Sequence, residues 1–252
     1  MTTDHSGRFL GLTLVVTGAG SGIGRATALR IAQEGGRVVA TDLDAGSLDR
    51  LVSETGGSTV RTVAGDITDG AVIDAVLAAA DGPVAGLANV ADVMDGFLPP
   101  SEVDDATWDR VMAVNLTAPM RLARAVLPGM IAAGGGAVVN VASEAALRGS
   151  AAGAAYTASK HALVGYTKNV AFFHGPQGIR ANVVAPGPVI TNIEARMKSD
   201  FAAARVGPVM KATLPAPVLP DRLAAAITWL LSEDSANVNG AVLPSDGGWS
   251  AV

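Results

Sequence analysis

Short runs rich in β-branched residues alternate with longer Ala-, Leu- and Ile-rich segments along nearly the whole chain, and this alternation leaves few folds open. Repeated strand–helix units favour a parallel sheet, because each crossover lays a helix against one of its faces. The pattern predicts strands at Leu12–Val16, Arg37–Thr41, Thr59–Ala64, Val84–Asn89, Gly136–Val141, Ile179–Ala185 and Ala241–Leu243. Helices are predicted near Ile23–Glu34, Ala45–Glu54, Gly70–Ala80, Asp105–Ala132, Gly153–His174 and Asp221–Ser232. The expected fold class is therefore α/β: one doubly wound domain over residues 1–252, with a seven-stranded parallel sheet and helices on both faces.

One stretch breaks the rhythm. Pro186, Pro188, Pro208, Pro215, Pro217 and Pro220 crowd Pro186–Pro220 around a short helical pattern, and they argue against continuous helix or strand there. An insertion after a strand end suits a substrate lid near residues 188–216, although a mobile loop without function fits the same composition.

Bulk properties narrow the function. The chain is 49% apolar with a formal charge of −5, and it has no large basic cluster, so neither nucleic acid nor an anionic membrane is an expected partner. Apolar runs fall short of a spanning helix, and Met1–Leu10 lacks the apolar core of a secretory signal. The absence of cysteine rules out disulfides and thiolate zinc sites and is compatible with a cytoplasmic protein. His5, His161 and His174 are too scattered for a metal site, so surface or packing roles are expected and no metal is.

The first predicted strand runs directly into Thr17-Gly18-Ala19-Gly20-Ser21-Gly22-Ile23-Gly24, which opens the first helix. Such a turn lets backbone approach a pyrophosphate closely, above a helix terminus that favours anions. That makes the domain Rossmann-type and places Gly18, Ser21, Gly22, Ile23 and Gly24 at a dinucleotide. Asp42 ends the second strand where an acid would bind the adenosine ribose, and Leu43 beside it brings no cation for a 2′-phosphate. NAD is favoured over NADP on this ground, with Arg25 expected to face solvent. Asp42 has a competing reading as a helix cap, which Asp44 can fill instead. Asp66, followed by Ile67, has two readings of equal standing: an acceptor for an adenine amine, or a cap for the helix beginning near Asp69.

Tyr156 and Lys160 stand four residues apart in a helical pattern and so share one helix face. An ammonium held beside a phenol lowers its pKa and suits it to exchange a proton with an alcohol. A surface pair of little consequence is the plainer reading of an isolated YxxxK.

Taken together, these pieces resemble the short-chain dehydrogenase/reductase superfamily in its single-domain form of about 250 residues. The resemblance runs from about Leu12 to Trp249 and adds Asn115 in Val114-Asn115-Leu116, Ser143 after Val139-Asn140-Val141-Ala142, Pro186-Gly187-Pro188-Val189-Ile190-Thr191 and Asp246-Gly247-Gly248-Trp249. It implies that Tyr156 is the acid/base, that Ser143 orients the substrate oxygen, and that Lys160 binds the nicotinamide ribose and depresses the phenol pKa. Asn115 would hold a relay water, and Pro186, Gly187, Val189 and Thr191 would sit at the nicotinamide. Local alternatives stand beside these roles: Asn115 bending its helix, Ser143 ending a strand. The family's Asn-Asn-Ala-Gly segment is here Asn89-Val90-Ala91-Asp92. Asn89 and Ala91 are carried over as cofactor contacts, while Asp92 would point to solvent or repel a phosphate-bearing ligand.

The implied activity is NAD-dependent interconversion of a secondary alcohol and its ketone. A 3-oxoacyl-thioester reductase and a catalytically silent nucleotide-binding regulator are the alternatives. Residues Asp92–Pro99, Ala145–Gly153 and Ile190–Ala216 would shape an apolar substrate pocket, with Glu144, Arg148 and Met197 as contacts. A homotetramer or dimer is expected through helix faces that include Ala113, Leu116, Met120 and Ala123, unless these faces only cover the sheet.

Overall fold

Every residue of the first strand, β1 (Thr13–Thr17), is buried, as required of a strand covered on both faces. Its side chains alternate: Leu14 and Val16 enter one core, and Val15 enters the other. The computed structural model describes residues 7–57, 59–193 and 196–251. His5 and most of Met1–Leu10 lie outside them, as do residues 194 and 195 of the expected lid.

The chain continues as α1 (Gly22–Gln33), β2 (Arg37–Asp42), α2 (Ala45–Glu54), β3 (Val60–Ala64), α3 (Gly70–Ala80) and β4 (Gly86–Asn89). Then come α4 (Asp105–Met112), α5 (Ala118–Ala132), β5 (Gly136–Val141), α6 (Ala154–His174), β6 (Ile179–Pro186), α7 (Asp200–Thr213), α8 (Pro220–Leu231) and β7 (Val242–Ser245). All seven strands pair in parallel in the order β3-β2-β1-β4-β5-β6-β7. The order reverses between β1 and β4, and a doubly wound sheet opens its ligand crevice at such a point. Ile31 of α1 and Leu223, Ile227 and Leu230 of α8 pack one face. Ile73 and Val76 of α3, Leu122, Val126 and Met130 of α5 and Val170 of α6 pack the other.

Two helices depart from the sequence reading. The long segment 105–132 is interrupted at Ala113–Thr117 by a π-turn, where the Ala118 N–H reaches back to the Ala113 carbonyl. The proline-rich stretch contains the fourteen-residue α7 with Pro208 inside it. Pro208 and Ala204 are both exposed, so the carbonyl deprived of its N–H partner faces water and the proline is tolerated. A parallel bridge between Val189 and Val218 closes the base of this insertion, and the Lys198 N–H donates to the Gly96 carbonyl at its middle. Ala123, expected on a free helix face, is instead fully buried against the sheet. His161 is exposed and His174 half-buried, with ring nitrogens near Thr157 O and Gln177 Oε1. No described helix is long and apolar enough to cross a membrane.

Candidate active site

A cavity of about 680 Å³ lies along the C-terminal edge of the sheet. It collects residues from the ends of six strands: Gly18, Asp42, Gly65, Val90, Ser143 and Pro186 all line it. Strand ends converge there because every strand points the same way, so side chains far apart in sequence meet on one rim.

The glycine-rich turn is built for close approach. Gly18 has φ +64°, and a Cβ there would lie 3.0 Å from the Ala91 backbone. A Cβ on Gly24 would lie 2.1 Å from the Gly18 carbonyl oxygen, so only glycine lets α1 seat against its own turn. Ser21 caps α1 by position only, without a side-chain hydrogen bond, and the first turn of α1 has no acid. Its first N–H groups therefore stay available, with the positive end of the helix dipole, to an anion in the cavity. Gly18, Ser21, Gly22, Ile23 and Gly24 all line the wall.

Asp42 accepts from the Gly20 N–H at 2.9 Å and from the Asp44 N–H at 3.1 Å. Asp44, not Asp42, caps α2 by accepting from Gly46. The carboxylate of Asp42 thus props the turn and still lines the cavity beside Leu43. Arg25 pairs with Glu54 on the outer surface. Asp66 accepts from the backbone and hydroxyl of Thr68, while Asp69 caps α3, which removes capping as the reason for Asp66. Asp66, Ile67, Ala91, Pro186, Gly187, Val189 and Thr191 line the cavity. These features fit a dinucleotide: glycine cradle, open helix terminus, and carboxylates at the far end.

Tyr156 sits on the first turns of α6 with its ring packed among Val111, Ala145, Ala155 and Trp249, and it lines the cavity. The start of α6 is set by a residue that sequence reasoning missed. Gly153 brings no side chain to the cap, and buried Asp95 accepts from the Tyr156 N–H at 2.9 Å and the Phe97 N–H at 3.0 Å. A carboxylate in the loop after β4 was the only signal, and nothing local ties it to a helix some sixty residues on. Ser143 turns the chain out of β5, accepting from the Ala145 N–H at 3.1 Å, and it lines the cavity together with Tyr156. The strand-ending reading of Ser143 is what this hydrogen bond shows.

Asp92 answers to neither expectation. It does not face solvent and does not merely border the cofactor: its Oδ2 accepts from the Tyr156 hydroxyl at 2.6 Å, and its Oδ1 lies 3.0 Å from Lys160 Nζ. Lys160 is 1% exposed, donates to the Val141 carbonyl at 3.0 Å, and lies 5.3 Å from the centroid of the Tyr156 ring. The expected fall in the phenol pKa is reversed. Burial pushes Tyr156 well above its usual range, the charge and hydrogen bond of Asp92 push it further, and the nearby Ser143 hydroxyl only partly opposes them. The ammonium is already matched by a carboxylate and is no longer free to favour a tyrosinate.

Three predicted residues stand behind the wall rather than in it. Asn89 is buried and donates to Asn140 Oδ1 at 2.8 Å, and Asn140 donates to Thr167 Oγ1 at 2.8 Å, so this amide stitches β4, β5 and α6 together instead of meeting a cofactor. Asn115, in the π-turn, grips the backbone of Val93 with its oxygen at 3.0 Å and its nitrogen at 2.9 Å, leaving its side chain no reach into the cavity. Lys160 touches the cavity only through Asp92, which does line it. Val90, which replaces a polar residue of the family pattern, is buried in the core that contains β1. The cavity is also lined by Val93, Met94, Gly96, Arg110, Val114, Asn192, Ile193 and Lys198. Glu144 is fully buried and paired with Arg148, whose guanidinium stacks 4.8 Å from the Trp249 ring centroid, so this pair braces the C-terminal segment instead of contacting substrate. Neither Met197 nor any residue of 145–153 lines the cavity.

Comparison with known proteins agrees with this geometry. The short chain dehydrogenase family model matches residues 12–201. The chain is 40% identical over 248 residues to the short-chain dehydrogenase/reductase cdmF of Talaromyces verruculosus, covering 95% of this chain and 97% of that one. It is 38% identical to asnovolin H dehydrogenase nvfC of Aspergillus novofumigatus, at 95% and 97% coverage. Among solved structures, levodione reductase superposes with a TM-score of 0.87 at 31% identity, covering 97% of this chain and 99% of that one. A Beutenbergia cavernae protein assigned as an NAD(P)-dependent gluconate 5-dehydrogenase, with NADP bound at low occupancy, gives 0.86 at 34%, covering 98% and 100%. The chain belongs to the short-chain dehydrogenase/reductase family of oxidoreductases.

Proposed function

We propose that the protein interconverts a secondary alcohol and its ketone with NAD as the preferred coenzyme. One observation carries the reading: Tyr156 and Ser143 line the same cavity as the N-terminus of α1. A bound nicotinamide dinucleotide supplies the two-electron acceptor or donor. The chain does the rest. The Ser143 and Tyr156 hydroxyls hold the substrate oxygen, and the alcohol O–H proton passes to Tyr156 Oη in oxidation and returns from it in reduction. Val93, Met94, Val114 and Ile193 give the substrate end an apolar lining that suits an aliphatic or cyclic substrate. The insertion carrying α7 serves as its lid.

Asp42 supports the coenzyme preference, because its carboxylate opposes a 2′-phosphate and the nearby cations among the described residues are already paired: Arg25 is held by Glu54, and Arg50 lies against Asp44 and Ser47. Exposed Phe172 and Phe173 at the end of α6 support assembly into a homo-oligomer. Tyr156→Phe should lower turnover by about 10²–10⁴-fold with dinucleotide binding nearly unchanged by equilibrium dialysis. Turnover close to that of the unaltered protein would overturn the assignment. Rates with NAD and NADP, followed by nicotinamide absorbance, test the coenzyme.

A further inference from the structure

The loop after β4 brings a carboxylate to the one place in the cavity where a proton must move. Asp92 spans 2.6 Å to the Tyr156 hydroxyl and 3.0 Å to Lys160 Nζ, so phenol, carboxylate and ammonium form one unit. We propose that Asp92 is a positioning residue that holds Tyr156 in its protonated form and neutralises Lys160, so that the site donates protons over a widened pH range and accepts them only at more alkaline pH. This rests on the reading of Tyr156 as the proton-transfer group.

The argument is one of charge. Ionising Tyr156 beside Asp92 would set two anions on one short hydrogen bond, and such neighbours share a single proton. One ammonium offsets one of the two negative charges. The other groups around the unit do not supply a second positive charge at the phenol. Asp95, in the same loop, is itself an anion. On the β5 side stand the uncharged Ser143 and the Val141 carbonyl. From α4, Arg110 lines the cavity but donates to the Met94 carbonyl, and from the segment after β6, Lys198 also lines it, its backbone N–H tied to the Gly96 carbonyl. Protonated tyrosine is the form that reduction needs, whereas oxidation needs tyrosinate. With Asp92 present, the alkaline fall of the reduction rate and the rise of the oxidation rate both lie at higher pH. The equilibrium constant of the overall reaction is untouched.

The chain has two tyrosines, so in a Tyr166→Phe background the ultraviolet absorbance of tyrosinate reports Tyr156 alone, without coenzyme or substrate. In that background Asp92→Asn should move the ionisation down by about one pH unit or more, and the alkaline limb of alcohol oxidation should move with it. Asp92→Gly, which restores the residue of the family pattern, provides the same reading if the amide fails to fold. Titrations and limbs that coincide with those of the Asp92 protein, or move upward, overturn the proposal. If instead the spectroscopic shift appears but Tyr156→Phe retains full turnover, the charge coupling stands and the acid/base assignment fails.

Discussion

Replacing Asn140 with valine tests whether the polar bridge through the core holds the site together. Asn140 is fully buried on β5, opposite Asn89 on β4, and joins Asn89 to Thr167 of α6 through two 2.8 Å hydrogen bonds. Those elements present Asp92, Ser143 and Tyr156 respectively. The variant loses both bonds, each worth about 1 kcal/mol net, and strands the buried Asn89 amide at a further cost of about 1–3 kcal/mol. Thr167 suffers little, since its hydroxyl still donates to the Leu163 carbonyl at 2.7 Å. The sum, tempered by the apolar contacts of valine, is about 2–4 kcal/mol, or a melting point lower by roughly 5–15 °C for a chain of this size. Denaturant unfolding of Asn140→Val, Asn89→Val and the double variant measures it. The double variant leaves neither amide stranded, so it should cost less than the two singles together by at least about 1 kcal/mol. Simple additivity of the two losses would refute the reasoning, and so would a single-variant cost below about 1 kcal/mol.

Two further outcomes follow from the packing at Gly24 and the helix cap at Asp95. Gly24→Ala forces a Cβ against the Gly18 carbonyl and should weaken dinucleotide binding by at least about tenfold, whereas Gly129→Ala, with nothing within 4 Å, should stabilise α5 by about 0.5–1 kcal/mol and leave binding alone. Titration calorimetry and thermal melts of both variants check this. Asp95→Ala removes the cap on the Tyr156 N–H and should cost about 1–2 kcal/mol of stability. Its turnover should fall well beyond what the lost stability explains, as read from steady-state kinetics below the melting transition.

The features legible beforehand were those that depend on neighbours in the chain. Strand–helix alternation, the Gly18–Gly24 cradle, the Asp44 cap and the facing of Tyr156 and Lys160 on α6 arise from local periodicity and turn stereochemistry. The π-turn at Ala113–Thr117 and the helix that accommodates Pro208 were not, because a one-residue slip in hydrogen bonding or a carbonyl left to solvent costs too little to mark composition.

By itself, then, the amino-acid order determined a parallel doubly wound sheet, a tight glycine-rich turn on its carboxyl edge, and a phenol and ammonium on a common helix face. Only the tertiary structure decided which carboxylate that pair meets. Asp92 meets Tyr156 across 64 residues, Asp95 caps a helix 61 residues away, and Asn89 and Asn115 turn inward. Each of these depends on where a loop closes when strands pack. Electrostatic coupling is set by distance in space, and distance along the chain carries no record of it.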